Sequence, residues 1–170
     1  MQSLILVSNR GPATFERRGR RPRTVARGGG GLVSALSGLI DHTPALWVSA
    51  AITPEDAVVA GEANGGSFAL PDVGVGTRGR FVVLDAETYH AYYNVIANPM
   101  LWFIQHYLWD LSSAPDVRRE ELDAWEYGYV AANHAFAEAV IAELPANPDA
   151  VVMMHDYHHY VATNNIRAAR

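Results

Sequence analysis

The chain has 170 residues, 49% of them apolar, and a net charge of −5; that is enough to bury one sizeable core and reads as a single soluble globular domain. It has no cysteine, which excludes disulfides, thiolate metal sites and cysteine nucleophiles, and its 13 basic residues are all arginine, which excludes a lysine nucleophile or Schiff base. No run of about 18 or more apolar residues exists and MQSLILVSNR has no basic n-region, so neither a membrane span nor a secretory leader is expected, and a cytoplasmic location is.

In chain order, Leu4 to Val7 is a short apolar run ended by Ser8-Asn9-Arg10-Gly11-Pro12, a buried strand opening into a loop. Arg17, Arg18, Arg20, Arg21, Arg23 and Arg27 crowd the segment ERRGRRPRTVARGGGG. Gly and Pro rule out a long helix there, and the segment reads as a basic, mobile loop, either solvated or attracting an anion. No aromatic residue interleaves with these arginines to stack on bases, which with the acidic net charge argues against a nucleic-acid partner.

Leu32, Val33, Leu36, Leu39 and Ile40 predict a helix from just after the glycines to about Ile40. Leu46 to Ala51 and Phe81 to Leu84 are strand-like, with Gly/Asn/Pro-rich connections between them. A helix follows from about Ala86 to Asn98, and Pro99 is suited to start another through Leu108. From Arg119 to Leu144, the positions Leu122, Trp125, Tyr129, Ala132, Phe136, Val140 and Leu144 form one apolar stripe, with Glu120, Glu121 and Asp123 set against the helix dipole. Ala150 to Met154 reads as a central parallel strand, and a short helix follows Tyr160. Strands alternating with helices imply an α/β fold with a mostly parallel sheet flanked by helices.

Ligands of such sheets bind beyond the carboxyl ends of the strands, which selects three sets of residues. Arg10, just past the first strand, either pairs with a carboxylate or clamps a phosphate bidentately. Gly28 to Gly31 before a helix form either a hinge or a backbone cradle for phosphate. In HDYHH, the histidines lack a familiar zinc spacing, so no metal is expected, whereas the Asp156 carboxylate suits sugar hydroxyls. Tyr92, Tyr93, Trp102, Tyr107 and Trp109 are dense enough for a carbohydrate wall, although core is the expectation for at least three of the five.

Taken in order, SNR, the glycine pair before LVSAL, the lone strand Trp47, YYN followed by N-x-x-LW, the helical set Trp125, Tyr129, Asn133, Phe136 and Ala137, then HDYH and an Ile-Arg pair resemble the trehalose-6-phosphate synthase family of retaining glucosyltransferases, over nearly the whole chain. That resemblance implies a GT-B fold of two Rossmann-like halves, with residues 1–170 as the N-terminal, acceptor-side domain and the C-terminal donor-binding domain outside this chain. The implied reaction moves glucose from UDP-glucose to glucose 6-phosphate with retention, without metal or other cofactor. Arg10 would take the acceptor phosphate, Tyr93 and Trp102 would line its pocket, Asp156 would bind its hydroxyls, and Gly30 and Gly31 would present N–H groups to the donor diphosphate. No catalytic nucleophile is implied. The partners are then a nucleotide-sugar donor and a sugar-phosphate acceptor, with no nucleic acid or membrane, while the cleft face of a half enzyme favours a homo-oligomer. Alone, the chain is expected to have no turnover.

Three departures leave other phosphorylated acceptors, or a non-catalytic sugar-phosphate-binding module, as alternatives. The second Trp of the family's W-x-G-W is missing from LWVSAAI, His159 stands where Leu is common, and VATNNIR replaces a more apolar stretch.

Overall fold

The computed structural model describes residues 3–29, 31–70, 72–108 and 117–169. They gather into two compact units, Met1–Val83 with Ala139–His155, and Leu84–Glu138 with Asp156–Arg170.

The first unit is built on the apolar runs. Strands β1 (Leu4–Ser8) and β4 (Ala45–Ala50) pair in parallel, from Leu4 opposite Ala45 to Ser8 opposite Ser49. Both are nearly free of polar residues, as a strand buried on two faces must be. Strand β6 (Arg78–Val82) joins β4 in parallel, β7 (Val151–Met154) joins β1 in parallel, and the two-residue β5 (Phe68–Ala69) closes antiparallel on β6. The order is β5-β6-β4-β1-β7. Strand β7, expected to be central, therefore pairs with β1 alone among the described strands, and Val151 is 40% exposed. An unbroken apolar run reports burial, and it cannot report which neighbour supplies it.

One further expectation is corrected in this unit. Strand β6 starts at Arg78 rather than Phe81, because its two arginines are carried by partners: Arg78 donates to Ser67, and Arg80 pairs with Glu143 at 2.7 Å. The arginine-rich segment is the connection of a hairpin: β2 (Ala13–Glu16) and β3 (Thr24–Arg27) pair antiparallel, Arg27 lies in β3, and the other five arginines lie in the loop at 17–23. Helix α1 (Gly31–Ile40) follows it as expected. Helix α2 (Pro54–Glu62), absent from the sequence reading, begins with a capping box between Thr53 and Asp56 and has Pro54 in its first turn; that signature was legible.

The hairpin is held by α2. Asp56 is fully buried and accepts from the N–H groups of Phe15, Ile52 and Thr53, while the Thr53 hydroxyl donates to the Phe15 carbonyl at 2.8 Å. Arg23 reaches Glu55 and Glu62, and Arg17 reaches Glu55. The Phe15 ring then packs edge-on against Phe68 and Phe81 in a core that includes Leu6, Val33, Trp47 and Val59.

The second unit is helical. Asp85 caps α3 (Ala86–Tyr89), which continues through a π-helical segment, His90–Trp102, into α4 (Phe103–Gln105). Pro99 lies inside this run and does not start a new helix. A proline breaks an α-helix by lacking the N–H that bonds four residues back and by striking that carbonyl; in the wider i→i+5 spiral the missing N–H still costs one bond, but the run continues through it. Helix α5 (Arg119–Ala124), a second π-helical segment (Trp125–Val130) and α6 (Ala131–Glu143) are continuous, as the stripe required. Tyr129, Ala132, Phe136 and Val140 are fully buried, but Leu122 and Trp125 at the start of the stripe are exposed. Helix α7 (Ala162–Ala168) ends the unit. Among the described residues no helix is long and apolar enough to cross a membrane.

Candidate functional site

Arg10 leaves β1 as an exposed side chain, with no ion pair to another described residue. Its backbone is held from beneath: Ser8 Oγ donates to the Arg10 carbonyl at 2.7 Å and itself accepts from the buried Trp47 indole at 2.8 Å. The neighbouring Asn9 is buried, and its carbonyl accepts from Ala50 N–H. The arginine is thus anchored at its base and its guanidinium pairs with no carboxylate among the described residues, unlike Arg23 and Arg80, whose heads are engaged by carboxylates.

The glycine run has two parts. Gly28 donates its N–H to the Pro12 carbonyl at 2.7 Å, and a Cβ there would overlap the Gly11 carbonyl oxygen; this glycine serves close backbone packing. Gly31 opens α1, where a Cβ would meet nothing within 4 Å, and the first turn of α1 carries no acidic side chain. The partial positive charge of that helix end is therefore uncompensated by its own residues, a setting suited to an anion. Gly30 lies outside the described residues.

Tyr93, Trp102 and Asp156 belong to the second unit. Asp156 adopts φ 72° and ψ 168°, a conformation essentially reserved for glycine that costs another residue about 1–3 kcal/mol. Its Oδ1 accepts from Tyr157 N–H at 2.8 Å, and Oδ2 lies 3.6 Å from His158 Nδ1. Burial raises the carboxyl pKa, but hydrogen bonds from His158 and the Tyr157 N–H outweigh it and hold the group below its ordinary value. The side chain remains 42% exposed. The result is an ionised carboxylate open to solvent on a strained backbone, and such outliers gather at functional sites.

The aromatics divide differently from expectation. Only Tyr92 of the four described residues is core, fully buried, and burial pushes its hydroxyl pKa well above the ordinary value. Tyr93 is half-buried and stacks on His158 at 5.4 Å, and His158 stacks in turn on Tyr157 at 4.3 Å. Trp102 is also half-buried, packed on the His106 ring at 4.4 Å. Tyr107 is almost fully exposed, and Trp109 lies outside the described residues. Aromatic density in a helical stretch does not say which rings the rest of the chain covers: the adjacent Tyr92 and Tyr93 point to different sides of the helix, and only the first is fully buried.

Several residues that organise this turn escaped the sequence reading as polar groups. Tyr129 and Asn133 counted only as members of a helical pattern, yet both hydrogen-bond the backbone of residues 157–162. Asn98, the first residue of N-x-x-LW, accepts from the Tyr157 hydroxyl at 2.9 Å. The structure therefore joins the N-x-x-LW, Tyr129–Asn133 and HDYH segments physically. Among the described residues no three His, Asp or Glu side chains gather in a way that could hold a metal ion.

The profile of glycosyltransferase family 20 matches residues 2–170. An α,α-trehalose-phosphate synthase (UDP-forming) of Schizosaccharomyces pombe is 33% identical over 168 residues, covering 96% of this chain and 29% of the relative. The crystal structure of such a synthase from Burkholderia vietnamiensis matches with a TM-score of 0.64 at 23% identity, over 99% of this chain and 30% of that one. A Burkholderia xenovorans synthase in complex with glucose 6-phosphate matches at 0.62 and 21% identity, over 98% of this chain and 30% of that one. These structural likenesses show the fold, a Rossmann-like α/β domain like the N-terminal domain of GT-B proteins. The chain spans less than a third of the length of each of these relatives.

Proposed function

The chain belongs to glycosyltransferase family 20, and on that premise we propose that it is the acceptor-binding half of an α,α-trehalose-phosphate synthase. The observation that carries this reading is Asp156: an ionised, solvent-open carboxylate kept in a conformation that costs stability. The relatives, a UDP-forming synthase and a synthase in complex with glucose 6-phosphate, support the choice of donor and acceptor.

In this reading Arg10 makes charge-assisted hydrogen bonds to the acceptor phosphate. Asp156 accepts from the acceptor's hydroxyls, while Tyr93 and Trp102 offer ring faces to the apolar side of the sugar. Gly30 and Gly31 present N–H groups to the donor diphosphate. During transfer the bond between the glucose anomeric carbon and UDP breaks, a bond to the acceptor hydroxyl forms on the same face, and the departing phosphate takes the hydroxyl proton. The donor is held mainly by a second α/β half, so the 170 residues alone bind acceptor without turning it over.

Calorimetric titration with glucose 6-phosphate tests this, with glucose, inorganic phosphate and glycerol 3-phosphate as controls. Arg10→Ala should cost one to two decades of affinity, since a charge-assisted contact contributes roughly 1.5–3 kcal/mol. A folded chain that binds none of the four ligands would sink the reading. Tighter binding of glycerol 3-phosphate would move the acceptor to another phosphorylated compound.

A further inference from the structure

We propose that Tyr129 and Asn133 are positioning residues for Asp156, holding its carboxylate in place through the backbone of the turn that follows it. The two residues stand four apart on one helical run and therefore face the same way. The Tyr129 hydroxyl donates to the Tyr157 carbonyl at 2.5 Å and accepts from Tyr160 N–H at 3.2 Å. Asn133 Nδ2 donates to the His158 carbonyl at 3.0 Å, and its Oδ1 accepts from Ala162 N–H at 3.1 Å. Both side chains are fully buried. Two carbonyls and two N–H groups within six residues are thus held by one helix turn, directly after the strained position.

The hydrogen bonds and ion pair that Asp156 makes among the described residues are short-range, to Tyr157 N–H and His158 from its carboxylate and to His159 N–H from its carbonyl. Its left-handed backbone therefore persists only if the segment beyond it cannot relax. The same clamp serves Tyr93, because the rings of Tyr157, His158 and Tyr93 stack in succession. The titratable groups facing Asp156 are His158, His159 and Tyr157 on its own turn, and Tyr92 from the π-helical segment His90–Trp102.

The link to acceptor binding rests on the function proposed above; the positioning itself does not, and the test separates them. In the 170-residue protein, Tyr129→Phe removes one hydroxyl and Asn133→Ala removes the amide, with near-UV circular dichroism reporting which variants remain folded. The carboxyl carbon of Asp156 is followed by NMR against pH, and glucose 6-phosphate is titrated into each variant and into the same variants carrying Asp156→Ala. Positioning predicts that the Asp156 midpoint rises by about half a pH unit or more, since its own hydrogen bonds are loosened. Glucose 6-phosphate affinity should fall roughly tenfold, and much less when Asp156 is already alanine. An unmoved midpoint in a folded variant overturns the proposal, as does an affinity loss of equal size in the Asp156→Ala background. A shifted midpoint in a protein that never binds glucose 6-phosphate leaves positioning standing and removes the acceptor reading.

Discussion

The Trp47 indole Nε1–H donates to Ser8 Oγ at 2.8 Å, joining the strand tryptophan to the loop that carries Arg10. Ser8 passes the contact on to the Arg10 carbonyl. Ser8→Ala should therefore leave a buried indole N–H without its acceptor and cost about 1–3 kcal/mol in urea unfolding. It should also weaken phosphate binding through Arg10, by less than Arg10→Ala does. Unchanged urea midpoints would show that the hydroxyl is dispensable.

The hairpin depends on Asp56 more than on its arginines. Asp56→Ala strands three N–H donors and breaks the cap of α2, at an expected cost of about 3 kcal/mol. Arg23→Ala should barely move the unfolding midpoint but should speed trypsin cleavage after the exposed Arg18 and Arg20. Its hydrogen bond to Glu62 holds that carboxyl below its ordinary pKa, so the contact is intact above the usual carboxylate range and lost as pH falls through the depressed value. Cleavage rates that do not differ between wild type and Arg23→Ala would refute the pinning.

A Cβ at Gly128 would overlap the Ala91 methyl and lie 2.8 Å from Tyr92 N, where the two π-helical runs meet. Gly128→Ala should destabilise by about 1–3 kcal/mol. Ala91→Gly should recover only part of this, since backbone atoms remain in the way. Thermal unfolding of the three variants decides it.

Asp156 offers a direct trade between strain and function. Asp156→Gly and Asp156→Ala both remove the carboxylate and should lose acceptor affinity alike. The glycine variant relieves the backbone and should be the more stable by about 1 kcal/mol. Equal stabilities in a denaturant titration would mean that the left-handed conformation is not held in solution.

Burial pushes the Tyr129 hydroxyl up to about 12, partly offset by the Tyr160 N–H. A raised pKa contributes stability that is complete below the unfolded value of about 10 and is lost as pH rises toward the folded value. Stability should fall by at most about 2 kcal/mol between pH 10 and 12 on account of this group. Urea midpoints of Tyr129→Phe should show a correspondingly shallower alkaline decline, and identical slopes would assign the loss elsewhere.

The sequence by itself determined the local elements and the order of the motifs. The apolar runs Leu4 to Val7 and Leu46 to Ala51 read as strands, the stripe to Leu144 read as a helix, and SNR, N-x-x-LW and HDYH in succession marked the family. These signals are short-range: period, capping and composition act within a few residues. Only the tertiary structure decided which strand lay at the sheet's edge, that charged β6 begins at Arg78, and that the arginine run connects a hairpin held against Asp56, Glu55 and Glu62. It also turned Tyr129, a member of the apolar stripe, and Asn133, a member of the helical motif, into the hydrogen-bonding partners of residues 157–162. The physical reason is that a side chain's polar atom takes its role from its partner, which for Arg80 is Glu143, 63 residues away, and pairing at that separation leaves no periodic trace in the chain.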